Sequence, residues 1–360
     1  MSGAAGGAGE RVLGWDVLRG LSALAVAVYH LLLWQGVTAL HSFGSYGVYL
    51  FFVLSGASLA YTYAGRFEQG GFRFRQFLWV RYMRLAPLYL ALMLLVLPWK
   101  MARDGVTDTL LAKLALNAAF LFGFWNPAAN SVLIGGWSLG IEAVYYLAFP
   151  LFLWAGLKRH AGLVLLCLLL VLQLAWIRWT AGGPEGYAAN AVAYHQVPAF
   201  AAYFMGGCLL GLARRAGRMP TIAPALVPGV LAGGFGLLWL LNPAQAGDEL
   251  LGWRGLLCMA LCFLLVWLST GLALRHDSAR AAAHLGDATY GLYLMHPVLF
   301  FGLTWTVIPR LGWGSPEQWP VGGRLALSAA VIGSAFLLAL ASERFVEKPL
   351  REWSKRRALR

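Results

Sequence analysis

The sequence predicts an all-α, polytopic integral membrane protein of about ten transmembrane helices, with both termini in the cytoplasm. Three observations predict it. Sixty per cent of the 360 residues are hydrophobic and only 12% are charged, where a soluble domain carries about a quarter charged side chains. Ten apolar stretches are long enough to span, because a hydrocarbon core of about 30 Å takes about twenty helical residues. The basic residues fall on alternate loops with a bias of nineteen to seven, and the richer side is the cytoplasmic one.

The chain opens on MSGAAGGAGE, which has neither a basic region nor a cleavage pattern ahead of the first apolar run. Residues 1–10 are therefore expected to form a disordered tail, and the first helix to stay as an uncleaved anchor. Spans are expected near 12–34, 43–64, 82–99, 137–156, 162–179, 195–213, 222–241, 252–274, 287–308 and 324–345. Between the third and fourth lies LLAKLALNAAFLFGF (110–124), which is short and carries Lys113 and Asn117. If it crossed, every later loop would flip and the basic tail would face outward, so it is read as interfacial or re-entrant. The loops leave no room for a soluble domain. The division is a tail (1–10), one membrane domain (11–347) and a basic cytoplasmic tail (348–360).

GGCLLG (206–211) and GVLAGG (229–234) offer small-residue faces for helix packing. The cysteines, Cys167, Cys208, Cys258 and Cys262, sit in apolar runs without zinc-ligand spacing to a histidine, and are read as packing residues, with no metal site. A net charge of +13 would suggest nucleic acid in a soluble chain. Here membrane topology accounts for it, the surroundings are membrane lipids, and no nucleic-acid partner is expected. Five lysines against 23 arginines in an Ala/Gly/Leu-rich chain point to a GC-rich bacterium, and so to a bacterial cytoplasmic (inner) membrane.

Charged and imidazole groups within membrane helices are expensive, so each is a candidate for function. The first span, LRGLSALAVAVYHLLLW, carries Arg19 near its cytoplasmic end and His30 eleven residues on, about 16 Å further along the axis. A neutral imidazole at that depth can accept a proton. Arg81 and Arg84 share one face at the cytoplasmic end of the third span. Their planar forks suit a phosphate-rich ligand from the cytosol, although basic residues there also serve topology. Glu142 lies about six residues inside the fourth span, at a depth comparable with His30, and is expected to pair with it. The ninth span carries Tyr293 and His296 near the midplane, with Tyr290 a turn nearer the cytosol and Pro297 bending the helix. Ser55 and Gly56 read as packing residues.

Six of these pieces recur in a recognisable order: Asp16-x-x-Arg19 with ten residues to His30; FFVLSG (51–56); Arg81-x-x-Arg84 followed by Pro87; WSLGIEAVYY (137–146); TYGLYLMHP (289–297); and ERFVEKP (343–349). Together they resemble the membrane-bound acyltransferase 3 family, which O-acylates, and mostly O-acetylates, glycans and other extracytoplasmic molecules. The resemblance implies a cytoplasmic acyl-CoA donor as co-substrate, with no bound cofactor. The implied acceptor is a hydroxyl of a glycan or lipid-linked sugar at the membrane's outer face. By matching position, Arg19 and His30 form the essential pair, Arg81 and Arg84 help hold the donor, and Glu142 belongs to the site. Some members carry an extra soluble esterase-like domain; this chain stops at residue 360, so a second enzyme is expected as a separate extracytoplasmic partner.

Acyl transfer from a thioester to an alcohol needs a donor grip, removal of the hydroxyl proton and stabilisation of an oxyanion. Arg19, Arg81 and Arg84 are assigned the grip, through the CoA phosphates. His30 is the general base or a transient acyl carrier, oriented by Glu142, while Tyr293 and His296 can donate to the oxyanion. A transporter or flippase for a glycan or lipid-linked intermediate is the rival reading, since midplane polar residues also suit a substrate pathway. No inverted repeat is visible, and the arginines cluster on one side.

Overall fold

The structure is a computed structural model describing residues 11–272, 274 and 276–358; the expected N-terminal tail, 1–10, lies outside the described residues. Among the described residues the chain is helical, with no strand and one isolated bridge, between Ile222 and Leu272. The helices are α1 (Leu13–Trp34), α2 (His41–Glu68), α3 (Phe74–Asp104), α4 (Asp108–Ala118), α5 (Trp137–Leu157), α6 (Arg159–Thr180), α7 (Gly186–Tyr194), α8 (Ala201–Arg215), α9 (Val227–Leu240), α10 (Gly252–Ser269), α11 (His276–Gly302), α12 (Val321–Ser342) and α13 (Lys348–Ala358). Eight of them, α1, α2, α3, α5, α6, α10, α11 and α12, are long and apolar enough to cross a membrane.

The other two apolar windows fold as α8 and α9, of 15 and 14 residues. At 1.5 Å per residue each reaches about 22 Å, short of a hydrocarbon core of about 30 Å. For α8 the reason is packing. Gly207 and Gly211 lie against the carbonyls of Val53 and Ala57, and Gly56 lies against that of Phe204. A Cβ at any of the three would collide with backbone, so α2 and α8 press together through glycine. A helix sheathed by its neighbours need not match the lipid.

Contacts fix the helix directions. α1 and α11 are parallel: Gly20 packs on Leu285, His30 on His296 and Trp34 on Phe300. α2 runs against α1, with Gly47 on Val26 and Ser58 bonded to Arg19. α5 and α8 run with α2, through Ser55 to Glu142 and Gly65 to Arg215. α12 runs against α1 and α11, since Gln35 bonds Ser328 and Gly291 packs on Ala339. Arg11, Arg66, Arg215 and Arg351 thus share one end of the bundle, the basic end, while Gln35, Asn242 and Arg324 share the far end.

The stretch 110–124 folds as α4 followed by a 3-10 turn, Leu121–Phe124, which dip back beside the middle of α3, where Tyr82 bonds the Ala118 carbonyl and Tyr89 bonds Asn117, and meet the start of α5, where Gly123 lies against Gly140. Eleven helical residues make about 16 Å, too short to cross the core. Buried Asn117 holds the segment: its amide donates to the carbonyls of Lys113 and Asn130 (both 2.7 Å), and its oxygen accepts from the Val132 N–H (3.0 Å) and the Tyr89 hydroxyl. The segment from 348 is also ordered. α12 passes through a π-helical turn, Glu343–Glu347, into α13, which packs on α3 at the basic end.

Candidate active site

A cavity of about 400 Å³ opens at the basic end between α1, α2, α3, α5, α11 and the α12–α13 junction. Arg19, Arg81, Arg84, Glu142 and Tyr293, chosen from sequence, all line it. Arg19 is locked in place. One Nη donates to Asp16 Oδ1, one turn back (3.3 Å), and the other donates to the Leu54 carbonyl (3.2 Å) and the Ser58 hydroxyl. Asp16 is shared, since its other oxygen accepts from Arg11 Nε (2.5 Å), and Arg11 also reaches Asp287 (2.7 Å). The Asp16-x-x-Arg19 spacing thus puts a carboxylate and a guanidinium on one helix face, and α2 and α11 complete the clamp.

Arg81 lies over the rings of Tyr63 (5.7 Å) and Phe77 (6.0 Å), and its Nη2 donates to the Tyr63 hydroxyl (3.4 Å). Its buried Nε has no partner among the described residues. Arg84 is exposed at the cavity wall and makes no hydrogen bond or ion pair among the described residues, so its fork is available to a ligand. Glu142 accepts, on one oxygen, from the hydroxyls of Ser55 and Tyr146 (both 2.6 Å). At the mouth the π-helical turn brings in Glu343, held by both arms of the Arg351 guanidinium (2.5 and 3.2 Å), and Glu347, which accepts from Ser342 (2.8 Å).

His30 and His296 stand apart from this cavity, beyond its inner end. Their rings stack with centroids 5.3 Å apart, and His30 Nδ1 lies 3.0 Å from His296 Nε2. The proton positions follow from the partners. His296 Nδ1 is 3.0 Å from the Leu292 carbonyl, one turn back, and a carbonyl only accepts. Nδ1 of His296 therefore carries the hydrogen, and in the neutral ring Nε2 is the lone pair. His30 Nδ1 must then be the donor, which leaves His30 Nε2 as a free lone pair. His30 is half-buried and lies flat on Trp34 (4.8 Å, 3° between planes), whereas His296 is 1% exposed. Tyr293 links the two regions. It lines the cavity, its hydroxyl donates to the Gly135 carbonyl (2.9 Å) beside Ser138 (2.9 Å), and its ring meets that of His296.

Three expectations are corrected. Glu142 does not orient His30; His296 does. Ser138 is level with Tyr293, Glu142 is a turn further inward and His296 a turn further outward, so about two turns, roughly 10 Å, separate the carboxylate from the imidazoles. Counting depth from the ends of two windows missed that α5 starts below the far surface. His296 also has no hydrogen for an oxyanion, because one nitrogen donates to Leu292 and the other accepts from His30. Ser55, read as a packing residue, instead bonds Glu142 in the cavity, while Gly56 packs as expected. Ser58 and Tyr146 went unread. Their signals were the Ser55-x-x-Ser58 spacing and the Glu142–Tyr146 spacing of one turn, each placing two polar groups on one helix face.

Residues 12–360 match the acyltransferase 3 family, described as an acyltransferase domain. The peptidoglycan O-acetyltransferase OatA of Listeria monocytogenes is 25% identical over 361 residues, covering 94% of this chain. The chain spans about half (55%) of that relative's length. No solved structure matches significantly. With the family match running through every helix that walls the cavity and carries the histidines, the chain belongs to the acyltransferase 3 family, as a multi-pass helical membrane protein.

Proposed function

We propose that this protein is a membrane O-acyltransferase that moves an acyl group, in the first instance acetyl, from cytoplasmic acyl-CoA to a hydroxyl of a cell-surface glycan. The observation that carries the reading is the cavity itself: arginines at its open, basic end, and at its closed end a tyrosine in contact with a histidine pair. On this reading both termini lie in the cytoplasm and ten helices cross a bacterial inner membrane, α8 and α9 with the help of the 3-10 turns that precede them, Val197–Ala199 and Pro224–Leu226. The alternating helix directions and the basic residues gathered at one end support that orientation. The family and the acetyltransferase relative support the reaction class.

Arg84, Arg81 and Arg19 hold the phosphates and polar arm of the donor, whose thioester reaches toward Tyr293. His30 Nε2 takes the proton of the acceptor hydroxyl as that oxygen attacks the thioester carbonyl. The C–S bond breaks, and the departing thiolate receives the proton. Two neutral imidazoles suit this cycle. His296 accepts from His30 throughout and holds its ring and tautomer, and with no carboxylate beside it the imidazolium is short-lived. The proton therefore passes on rather than resting on His30.

Purified protein in detergent or nanodiscs is expected to consume acetyl-CoA and to place radiolabelled acetyl on glycan hydroxyls. A transporter would move a labelled glycan across vesicles and leave acetyl-CoA intact, and that result would reverse the reading.

A further inference from the structure

Beyond the histidine pair, on the side away from the donor cavity, aromatic side chains from distant parts of the chain meet in a band. Trp137 opens α5 next to Ser138, and its ring centroid is 4.3 Å from that of His195, just after α7. His195 meets Tyr187 at 6.3 Å. The Cβ and ring of Tyr187 press on Gly247, in the loop before α10. The Gly247 N–H donates to Glu249; Glu249 also accepts from Ser45, and the neighbouring Gly44 lies against the ring of Tyr29. Tyr29 meets His30 at 5.1 Å, and His30 lies on Trp34. All six rings are half-buried, in contrast to the fully buried tyrosines of the core such as Tyr89, Tyr145 and Tyr203.

The polar groups in this band are of one kind. His195 Nδ1 donates to the Ala191 carbonyl (2.5 Å), so by the same reasoning as for His296 its Nε2 is a lone pair, with no partner among the described residues. Gln196 donates to Asn126 (2.7 Å) at the edge of the band. Beneath it, Glu249 accepts from the Ser45 hydroxyl (2.7 Å) and the Gly247 N–H (2.8 Å), and burial pushes its carboxyl up. The arginines that line the donor cavity have no counterpart among these groups.

We propose that this band is the acceptor subsite, and that it takes an uncharged pyranose ring: the apolar C–H face lies on Trp137 and Tyr187, a ring hydroxyl donates to His195 Nε2, and a neighbouring hydroxyl is presented to His30 Nε2. The proposal rests on the acyl-transfer reading above. A pyranose is apolar on its faces and ringed with hydroxyls, which matches flat rings interleaved with acceptors and amides. Among the described residues, Arg324 at the Trp34 end of the band is engaged with the Gln35 and Gly36 carbonyls, and Glu249 lies beside Gly247, so the band favours an uncharged ligand over a phosphate or carboxylate. The step is the one already written; the band adds only the placement of the attacking oxygen.

The test uses the full chain in nanodiscs with two probes, an N-acetylglucosamine tetrasaccharide and a maltotetraose. Saturation-transfer NMR reads sugar binding without any turnover, and steady-state acetyl transfer at saturating acetyl-CoA reads the acceptor KM. Tyr187→Ala and His195→Ala lie outside the long helices and are expected to raise the acceptor KM by about tenfold, one aromatic or hydrogen-bonded contact each. The KM for acetyl-CoA stays unchanged, and the sugar signal weakens in parallel. Tyr187→Phe keeps the ring and is expected to stay near wild type. Absence of sugar signal in the wild type with both probes, or an unchanged acceptor KM in both alanine variants, would overturn the subsite. If an alanine variant also loses acetyl-CoA binding, Tyr187→Phe against His195→Phe decides, since each keeps a ring and only the second removes the acceptor nitrogen: equal acceptor affinity in the two would count against it. A wild type that binds sugar but transfers nothing would leave the subsite standing and remove the reaction.

Discussion

At the scale of single residues, the proposed chemistry rests on one lone pair. His30→Gln keeps a hydrogen bond to His296 but removes the base, so transfer is expected to fall by about 10²–10⁴-fold, the usual worth of a general base. Acetyl-CoA binding should persist, since the donor's arginines lie in the separate cavity; near-normal turnover in His30→Gln would make the imidazole a packing group. His296→Ala also costs rate, because without its acceptor nitrogen His30 can put the hydrogen on Nε2. His296→Asn, whose amide oxygen can accept from Nδ1, is expected to recover part of the loss, which filling the space with leucine would not. For the donor, Arg84→Ala is expected to weaken acetyl-CoA binding by about 3 kcal/mol, two charge-assisted hydrogen bonds. Arg84→Lys restores only part of that, since a point charge lacks the fork; unchanged affinity in a folded Arg84→Ala protein would reduce the residue to a topology signal. These charges were legible in the sequence because ions in apolar windows are rare enough to stand out. Ser55 and Ser58 were not, because a serine hydroxyl in a helix can satisfy itself on the carbonyl one turn back; Tyr146 was not, because tyrosines are common in membrane helices as amphipathic rings. The pairing of His30 with His296 was hidden for another reason: depth counted along a helix ignores where that helix starts.

At the scale of elements, close backbone approach sets the packing. The α2–α8 contact rests on Gly56, Gly207 and Gly211, each against a carbonyl of the other helix. Gly207→Val is expected to destabilise the protein by about 1–3 kcal/mol, the cost of overpacking, read as a lower melting temperature in detergent. The same substitution at Gly229, where nothing lies within 4 Å of an added Cβ, should leave melting unchanged. The windows themselves were readable, since an unbroken apolar run of about twenty residues matches the thickness of a bilayer and little else. Their lengths were less so. α8 reads as a full window because a helix packed among other helices is as apolar as one that meets lipid, and the α9 window includes the 3-10 turn, Pro224–Leu226, that precedes the helix. The π-helical turn at Glu343–Glu347 and the ordered α13 carried no signal beyond charge, and charge alone reads as a tail.

At the scale of the whole molecule the directions of the helices make orientation testable. If the basic end faces the cytoplasm, a cysteine placed at the exposed Glu352 reacts with an impermeant thiol reagent only after the membrane is opened, and one at the exposed Asp108, which opens α4, reacts in intact cells. The reverse pattern would turn the protein over and place the cavity on the wrong side for acyl-CoA.

The pairing of the first helix with the last ones has a consequence for how the protein is made. His30 emerges early, and the residue that fixes its tautomer lies 266 positions later, on a helix that must itself be inserted beside α1. At about 5–20 residues per second, the base waits roughly 13–53 s on the ribosome for its partner. A similar interval, 276 positions, separates Arg11 from Asp287. On the proposed reading, a half-made chain in the translocon thus has neither a finished donor clamp nor a poised base, and a truncated product of a stalled ribosome would be unable to waste acetyl-CoA on water.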